Sequence, residues 1–365
     1  MSDTASPGAR LPVHILTGFL GSGKTTLLQH LLADEAMHDT VVLINEFGEV
    51  AIDHLLVQAL TDEIVLLKSG CLCCAVRDDL TQTLIDLAAR RRAGDIPPFS
   101  RVVVETTGLA DPAPILLTLM SEELVTRDYA LAGLVATADA EHGQLQLDTH
   151  AEALKQAALA DVIVITKTDC MPAPSIDTLA ERLAALNPSA VQHRSTLSTP
   201  PSPRALFGTL RFSLDAKRGS ALAWLAAERH AAKHSDDATI GNNDHSAAPD
   251  AAQGRYLRHD MRVGSFCVML DAPVDWPRFE EWLSLLLVSR GKDILRIKGL
   301  LDVSGRPGAT VIHGIHHVFY PPQCLPDWPS DDRRSRLVFI TTGLHAQAIA
   351  RSLEDFTDVR ATILR

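Results

Sequence analysis

The chain has 365 residues, 46% of them apolar, so it can bury a sizeable core, and its length favours two domains, one large and one small. Its 34 basic and 45 acidic residues give a formal net charge of −11, which disfavours nucleic acid and an anionic membrane surface as partners. The opening residues, MSDTASPGAR, do not resemble a secretory signal, and no apolar run is long enough to cross a bilayer, so we predict a cytoplasmic protein.

Short β-branched runs alternate with helical patterns from Pro12 onward. This order predicts an α/β domain, with a mostly parallel sheet and helices on both faces. The runs are VHILT, VVLIN, EIVLLK, RVVVET, LAGLVAT and DVIVIT, and a last short strand is expected over residues 191–195. We predict a disordered N-terminus over residues 1–10 and a nucleotide-binding domain over residues 11–214.

The segment GFLGSGKTT lies between the first strand and the helical pattern LLQHLLADE, which is the context of a phosphate-binding loop. Its glycines would let backbone amides approach the phosphates, Lys24 would meet the terminal phosphate oxygens, and the Thr25 hydroxyl would ligate magnesium. The nucleotide-binding residues predicted here are Gly18, Gly21, Ser22, Gly23, Lys24, Thr25 and Thr26. A chance glycine-rich turn is the alternative, which the flanking strand and helix disfavour.

Three of the six cysteines, Cys71, Cys73 and Cys74, fall in the run CLCC, directly before a predicted helix AVRDDLTQTLIDLAARRRAG. Neighbouring cysteines would form a strained disulfide, whereas the positive end of a helix stabilises the thiolates that bind metal. Zinc would accept these sulfurs, but three do not complete a tetrahedron. Glu46, in the segment NEFGEVAID, is one candidate for a further ligand, and a nucleotide, water or partner side chain are others. A redox dithiol or buried small apolar side chains remain the alternatives for CLCC.

A second phosphate motif, VVVETTG, ends the fourth predicted strand. Glu105 would act on magnesium, directly or through water, and the backbone amide of Gly108 would sense the γ-phosphate. We predict Lys24 and Glu105 as the catalytic residues. No arginine is clearly placed to assist, so unaided hydrolysis is expected to be slow.

The segment TKTD, which ends the strand DVIVIT, indicates the base. The Asp169 carboxylate can accept two hydrogen bonds from guanine, and adenine offers no such pair of donors. Lys167 would pack its stem along the base, and Thr166 supplies a hydroxyl where many GTPases place an Asn amide. GTP is therefore favoured over ATP.

Residues 215–254 are too polar to build a core and are predicted to be a linker, and residues 255–365 are predicted to form a compact α+β domain. In the latter, RVGSFCVML, ILRIKGLLDV, ATVIHGIHHVFY and SRLVFITTG resemble strands, and FEEWLSLLLV resembles a helix. Seven histidines fall in the linker and this domain: His230, His234, His245, His259, His313, His316 and His317. Taken singly, each is expected to be exposed in the linker or packed in the strands. As a group, they could loosely hold metal in transit.

The motifs GFLGSGKTT, GCLCC, VVVETTG and TKTD, in this order, resemble those of the CobW family of metallochaperone GTPases, and the segments ILRIKGLL and VIHGIHHVF resemble the family's smaller C-terminal domain. The resemblance implies a GTPase whose CxCC motif binds zinc or a similar divalent ion in a nucleotide-dependent way and delivers it to a client metalloprotein. It leaves zinc supply, cobalt handling for cobalamin synthesis and activation of a metalloenzyme open.

We therefore expect magnesium and GTP to order the NEFGEVAID segment and the cysteine loop together into a closed metal site that hydrolysis loosens. A metal buffer or sensor in which GTP only sets the conformation is a second hypothesis. A small-molecule kinase is a third, which TKTD disfavours.

Overall fold

A computed structural model describes residues 10–44, 65–66, 75–208 and 263–364. The strands of its first part are β1 (Leu11–Gly18), β2 (Thr40–Ile44), β3 (Val65–Leu66), β4 (Arg101–Glu105), β5 (Tyr129–Asp139), β6 (Val162–Thr166) and β7 (Val191–Arg194). The helices of that part are α1 (Lys24–Leu32), α2 (Ala75–Ala93), α3 (Ala113–Ser121), α4 (Glu123–Asp128), α5 (Gly143–Thr149), α6 (Ala151–Leu159) and α7 (Ala173–Leu186). No helix in the described ranges is both long and apolar enough to span a membrane.

The seven strands of the first part form one sheet in the order β3-β2-β4-β1-β5-β6-β7, and every pairing is parallel. Successive side chains of a strand point to opposite faces, so each buried strand supplies two cores. Val13 and Ile15 of β1 pack in the core that contains Leu84 of α2. Leu16 packs in the opposite core with Leu28 of α1. This is the α/β layering with helices on both faces that the sequence predicts.

The second part is a separate antiparallel sheet. Its strands are β8 (Val263–Leu270), β9 (Ile294–Leu301), β10 (Thr310–Ile315), β11 (Val318–Phe319), β12 (Gln323–Cys324), β13 (Ser335–Thr342) and β14 (Ala361–Leu364), and its helices are α8 (Trp276–Arg290) and α9 (Ala346–Thr357). The order is β11-β10-β9-β13-β8-β14, with β12 paired to β10. Phe279 and Trp282 of α8 and Leu353 of α9 pack on one face.

The opposite face of the antiparallel sheet contacts the first part of the chain. Leu295 and Ile340 belong to the same buried cluster as Leu159 at the end of α6. Arg296, which is 1% exposed, donates to the backbone oxygen of Leu159 and forms an ion pair with Asp161. The two sheets therefore share a core that contains a buried ion pair.

The predicted strands correspond to β1 through β7, and the predicted helix after CLCC is α2. The segment ATVIHGIHHVFY differs in detail, because a turn at His316 (φ 50°) divides it into β10 and β11. The helix α9 and the strand β14 were not predicted. The linker predicted at 215–254, with its histidines, lies outside the described residues, as do residues 1–9 of the N-terminus predicted to be disordered over residues 1–10.

Candidate nucleotide-binding site

A cavity of about 400 Å³ lies at the carboxyl edge of the parallel sheet, where β1, β2, β4 and β6 end. Ligands of open α/β sheets bind at this edge, because the loops that follow the strands converge there. The cavity is lined by Leu20, Gly21, Gly23, Lys24, Thr25, Thr26, Ile44, Glu105, Thr106, Thr107, Gly108, Leu109 and Lys167. Three motifs that are far apart in the sequence thus meet in one cavity.

The loop between β1 and α1 has the geometry of an anion site. Gly23 precedes the first residue of α1 with φ 87°, a left-handed conformation that side chains disfavour, and it directs the first amides of the helix toward the cavity. Lys24 is 9% exposed, and its Nζ donates to the backbone oxygens of Gly18 (2.9 Å) and Phe19 (3.2 Å). Ser22 is buried, and its Oγ lies 2.6 Å from the Thr137 hydroxyl of β5, which fixes the loop to the sheet.

Two oxygen groups lie beside this loop. The Thr25 hydroxyl donates to Oε1 of Glu105 at 2.8 Å, and Glu105 is 4% exposed at the end of β4. A hydroxyl and a carboxylate at this separation form the hard oxygen donor set that magnesium prefers. The donor set therefore fits the predicted magnesium site.

Gly108 lies against the phosphate loop. A Cβ atom at this position would be 2.6 Å from the backbone nitrogen of Leu20, closer than real Cβ atoms come to other atoms. Glycine is therefore required for the two loops to approach. This brings the backbone of the second phosphate motif to the cavity.

The base motif reaches the same cavity through β6. Thr166 is buried, and its hydroxyl donates to the backbone oxygen of Ser22 at 2.7 Å, so its role here is to join the motif to the phosphate loop. Lys167 lines the cavity and has a left-handed backbone, with φ 56°. Asp169 is exposed and does not line the cavity.

Asp139 at the end of β5 is a site residue that the sequence reasoning missed. Its Oδ2 lies 2.7 Å from Nζ of Lys167, and the residue is 1% exposed. Burial alone would raise the pKa of Asp139, but the hydrogen bonds from Lys167 and the Glu141 backbone, together with the charge of Lys167, outweigh burial and hold that pKa below its ordinary value. An acid at the end of a strand is common, so the sequence alone does not single out Asp139; its partner Lys167 is known only once β5 and β6 are placed as neighbours.

The helix α6 contacts both phosphate motifs. The ring of His150, which precedes α6, stacks on Phe19 of the phosphate loop with 4.4 Å between ring centroids. Nε2 of Gln156, which is 2% exposed, donates to the backbone oxygens of Gly108 (3.2 Å) and Ala110 (3.0 Å). These contacts also depend on distant packing and were not predicted.

The predicted metal ligands Cys71, Cys73, Cys74 and Glu46 lie outside the described residues. The strands β2 and β3, which precede these segments in the sequence, are described. Ile44, the last residue of β2, is in register with Glu105 on one side and with Leu66, the last residue of β3, on the other.

Known proteins resemble the chain over most of its length. Residues 12–194 match the family model of the CobW/HypB/UreG nucleotide-binding domain, and residues 263–357 match the cobalamin synthesis protein CobW C-terminal domain. The zinc chaperone YjiA of Escherichia coli strain K12 is 32% identical over 93% of this chain and 96% of its own length. The zinc chaperone CobW of Pseudomonas aeruginosa is 29% identical over 94% of this chain and 91% of its own length.

A solved structure shows the same architecture. The crystal structure of Zn(II)-bound YjiA GTPase from E. coli superimposes with a TM-score of 0.66 at 29% identity, covering 95% of this chain and 99% of that one. Together with the two family models, it accounts for the order of the motifs and for both sheets. The chain therefore belongs to the CobW family, with a CobW/HypB/UreG nucleotide-binding domain followed by a CobW C-terminal domain.

Proposed function

We propose that the chain is a GTP-hydrolysing metallochaperone, which binds zinc at Cys71, Cys73 and Cys74 in a nucleotide-dependent way and transfers it to a client metalloprotein. The observation that carries the nucleotide half is the hydrogen bond between Thr25 and Glu105 inside the cavity that also holds Lys24. The names of two relatives as zinc chaperones, and the Zn(II)-bound GTPase structure, support the metal half.

The residues in and beside the cavity each have a role in this proposal. Lys24 and the first amides of α1 would bind the terminal phosphates of GTP, and Lys167 would lie along the guanine, with Asp169 accepting its hydrogen bonds. Thr25 and Glu105 would hold magnesium, which supplies positive charge to the phosphate oxygens. The backbone at Gly108 would contact the γ-phosphate and so distinguish GTP from GDP.

Unaided turnover is expected to be slow. None of the cavity-lining residues in the described ranges is an arginine, and an arginine finger accelerates related enzymes by roughly 10³–10⁵-fold. A client or a second protein would supply the acceleration. Turnover assays with and without metal and client separate this proposal from a GTP-gated metal buffer, which need not hydrolyse GTP.

The topology of the sheet supports communication between nucleotide and metal. Neighbouring strands lie about 4.8 Å apart, so Leu66, two strands from Glu105, is roughly 10 Å from it. Cys71 follows Leu66 by five residues, and Glu46 follows Ile44 by two. A chain reaches at most about 3.6 Å per residue, so both segments start within reach of the phosphates.

We predict that zinc binds more tightly when the protein holds a nonhydrolysable GTP analogue than when it holds GDP. Coupling between two sites typically changes affinity by about 5–150-fold, and by linkage zinc should tighten binding of the analogue by the same factor. A chromophoric chelator competition in each nucleotide state measures the zinc affinity. Equal affinities in the two states would contradict the coupling.

Serine variants assign the ligands in the same assay. Cys71→Ser, Cys73→Ser and Cys74→Ser are each expected to weaken zinc binding, because a neutral hydroxyl replaces a thiolate ligand. Cys324→Ser is the matched control, since Cys324 is an exposed free cysteine of β12, outside the motif and away from the nucleotide cavity. Replacing zinc with cobalt tests the cobalt alternative: tighter nucleotide-dependent binding of cobalt would redirect the proposal to that metal.

A further inference from the structure

A second cavity lies at the opposite edge of the parallel sheet. We call it the arginine pocket: it has a volume of about 200 Å³ and is lined by Arg10, Leu11, Ala88, Arg91, Arg92, Arg127 and Asp128. Leu11 and Tyr129, the first residues of β1 and β5, are paired at this edge. The eight residues of β1, about 26 Å of strand, separate it from the nucleotide cavity, and the two cavities share no lining residue.

The charge of the arginine pocket opposes that of the whole chain. Four guanidinium groups and one carboxylate line it, which leaves three positive charges, whereas the chain carries −11. Asp128 is shared by two arginines, with its carboxylate 2.6 Å from Arg92 and 3.0 Å from Arg127. Burial alone would raise the pKa of Asp128, but the hydrogen bonds from Arg92 and Arg127 outweigh it and lower that pKa, so Asp128 stays ionised.

The arginines are held in place by other groups. The Arg91 guanidinium lies 5.4 Å from the centre of the Phe99 ring, and Arg10 donates to the backbone oxygen of Thr126 at 3.4 Å. The buried Nε of Arg91 and the buried hydroxyl of Tyr129 have no hydrogen-bond partner among the described residues. Buried donors are rarely left without acceptors, so this region is short of acceptor oxygens.

Stabilisation of a helix end does not account for all four arginines of the pocket. Arg91 and Arg92, with Arg90, lie in the last turn of α2, where they complement the helix dipole. Arg10 precedes β1 and Arg127 is in α4, so neither belongs to that helix. Two helices and the segment that precedes β1 therefore bring arginines to one cavity.

We propose that the arginine pocket binds a phosphate-type oxyanion, either free phosphate or the phosphoryl group of a small molecule. Guanidinium groups match the oxygens of phosphate and of carboxylate in pairs. Three net positive charges are balanced better by a phosphate or pyrophosphate than by a single carboxylate. The site is distinct from the nucleotide cavity, so the two ligands bind at the same time.

Isothermal titration tests the proposal with the full chain saturated with a nonhydrolysable GTP analogue and magnesium, so that phosphate cannot enter the nucleotide cavity. Inorganic phosphate, pyrophosphate and glycerol 3-phosphate are titrated at constant ionic strength, and saturable binding of at least one is expected. Tighter binding of inorganic phosphate assigns the site to the free ion, and tighter binding of glycerol 3-phosphate assigns it to a phosphomonoester. Acetate, a single carboxylate, is expected to bind about tenfold more weakly or not at all.

Substitutions of single arginines distinguish binding at the pocket from nonspecific attraction of anions to surface charge. Arg91→Gln and Arg127→Gln are each expected to weaken binding about tenfold or more, because each removes charge-assisted hydrogen bonds. Arg90→Gln is the matched control, since Arg90 is exposed in the same turn of α2 and does not line the pocket. An equal effect of Arg90→Gln, binding that does not saturate, or acetate binding as tightly as phosphate would overturn the proposal.

The outcome does not depend on the proposed GTPase activity. If the analogue fails to bind, the same titrations are carried out on the Lys24→Ala variant, which removes the main phosphate-binding cation of the nucleotide cavity. Saturable, Arg91-dependent binding there would uphold the arginine pocket while the proposed function failed. Loss of all saturable binding in the Lys24→Ala variant would assign the anion to the nucleotide cavity instead and overturn the inference.

Discussion

At the scale of single residues, the ion pair between Lys167 and Asp139 is the contact with the clearest functional meaning. A left-handed backbone is uncommon for a residue with a side chain, and here it falls on the lysine that lines the cavity. The Asp139 carboxylate is buried, so its charge acts on the lysine with little screening by water. Asp139 therefore fixes the position of the Lys167 ammonium beside the cavity.

We predict that Asp139→Asn weakens GTP binding about tenfold and reduces the preference for GTP over ATP. The variant keeps the shape of the side chain but removes the charge that holds Lys167, which is worth on the order of 1.5–3 kcal/mol in a charge-assisted hydrogen bond. Nucleotide affinity measured by fluorescence titration checks this. Asp177→Asn is the control, because Asp177 pairs with Arg194 at the surface, where both side chains are about half exposed. Equal losses in the two variants would argue against a positioning role.

At the scale of elements, α6 links the parts of the molecule that contain the phosphate motifs to the antiparallel sheet. The residue that precedes it, His150, stacks on the phosphate loop, and Gln156 in its middle donates to the loop that contains Gly108. At its end, the backbone oxygen of Leu159 accepts a hydrogen bond from Arg296 of β9. A shift of the Gly108 loop would therefore act directly on this helix.

We predict that Gln156→Leu weakens binding of a nonhydrolysable GTP analogue several-fold and leaves GDP binding unchanged. The two backbone oxygens that lose their donor belong to the loop on the γ-phosphate side, and an unsatisfied buried acceptor costs about 1–3 kcal/mol. Affinities for both nucleotides check this. Gln192→Leu is the matched control, since Gln192 also donates to one backbone oxygen, that of Ala180, but does so on β7, away from the cavity. A parallel fall in GDP affinity would show a general loss of structure instead.

At the scale of the whole molecule, one carboxylate joins the two sheets. Asp161 pairs with Arg296 and with Lys298 of β9 (3.0 Å), and its other oxygen accepts from the backbone nitrogen of Leu134 at 2.9 Å. Burial alone would raise the pKa of Asp161, but the charges of Arg296 and Lys298 outweigh burial and hold it well below its ordinary value. Burial, reinforced by the charge of Arg296, lowers the pKa of Lys298 to about 8.

We predict that Asp161→Asn lowers the free energy of unfolding by about 3–5 kcal/mol at neutral pH, because it leaves the buried Arg296 without its counter-charge. Since the pKa of Asp161 is lowered in the folded state, its contribution is complete above the ordinary Asp pKa of about 3.9 and is lost as the pH falls below it. Denaturant unfolding from pH 6 to pH 3 should show a difference in the free energy of unfolding that narrows below about pH 4. Asp148→Asn, which breaks an exposed pair with Arg182, is the control and should cost little. A difference that does not change in acid would contradict the assignment.

The fold was predictable from the sequence where burial is local. Runs such as VVVE and VIVIT are apolar on both faces, as strands of a covered parallel sheet must be, and their order predicts the layers. In contrast, the helix α9 is strongly amphipathic but was not predicted. Its segment ARSLEDFTD has few apolar residues, and charged residues lie between them. The turn at His316 that divides β10 from β11 has no glycine or proline to mark it.

The candidate site was predictable to the extent that motifs define it. The residues Lys24, Thr25, Glu105, Gly108 and Lys167 meet in one cavity because the ends of parallel strands converge. Asp139 and Gln156 could not be assigned from the sequence, because their partners depend on which strands are neighbours and on how α6 packs. Glu46 and the three motif cysteines stay predictions.

The core shared by the two sheets connects the carboxy-terminal domain with nucleotide binding. Leu295, Ile315 and Ile340 of the antiparallel sheet belong to the same buried cluster as Ile15 of β1, the strand that leads into the phosphate loop. Substitutions that disrupt the antiparallel sheet would therefore weaken the packing under β1 and the phosphate loop. Such variants should bind nucleotide more weakly. A genetic screen for loss of GTP binding should recover lesions in β9 and β13 alongside those in the motifs.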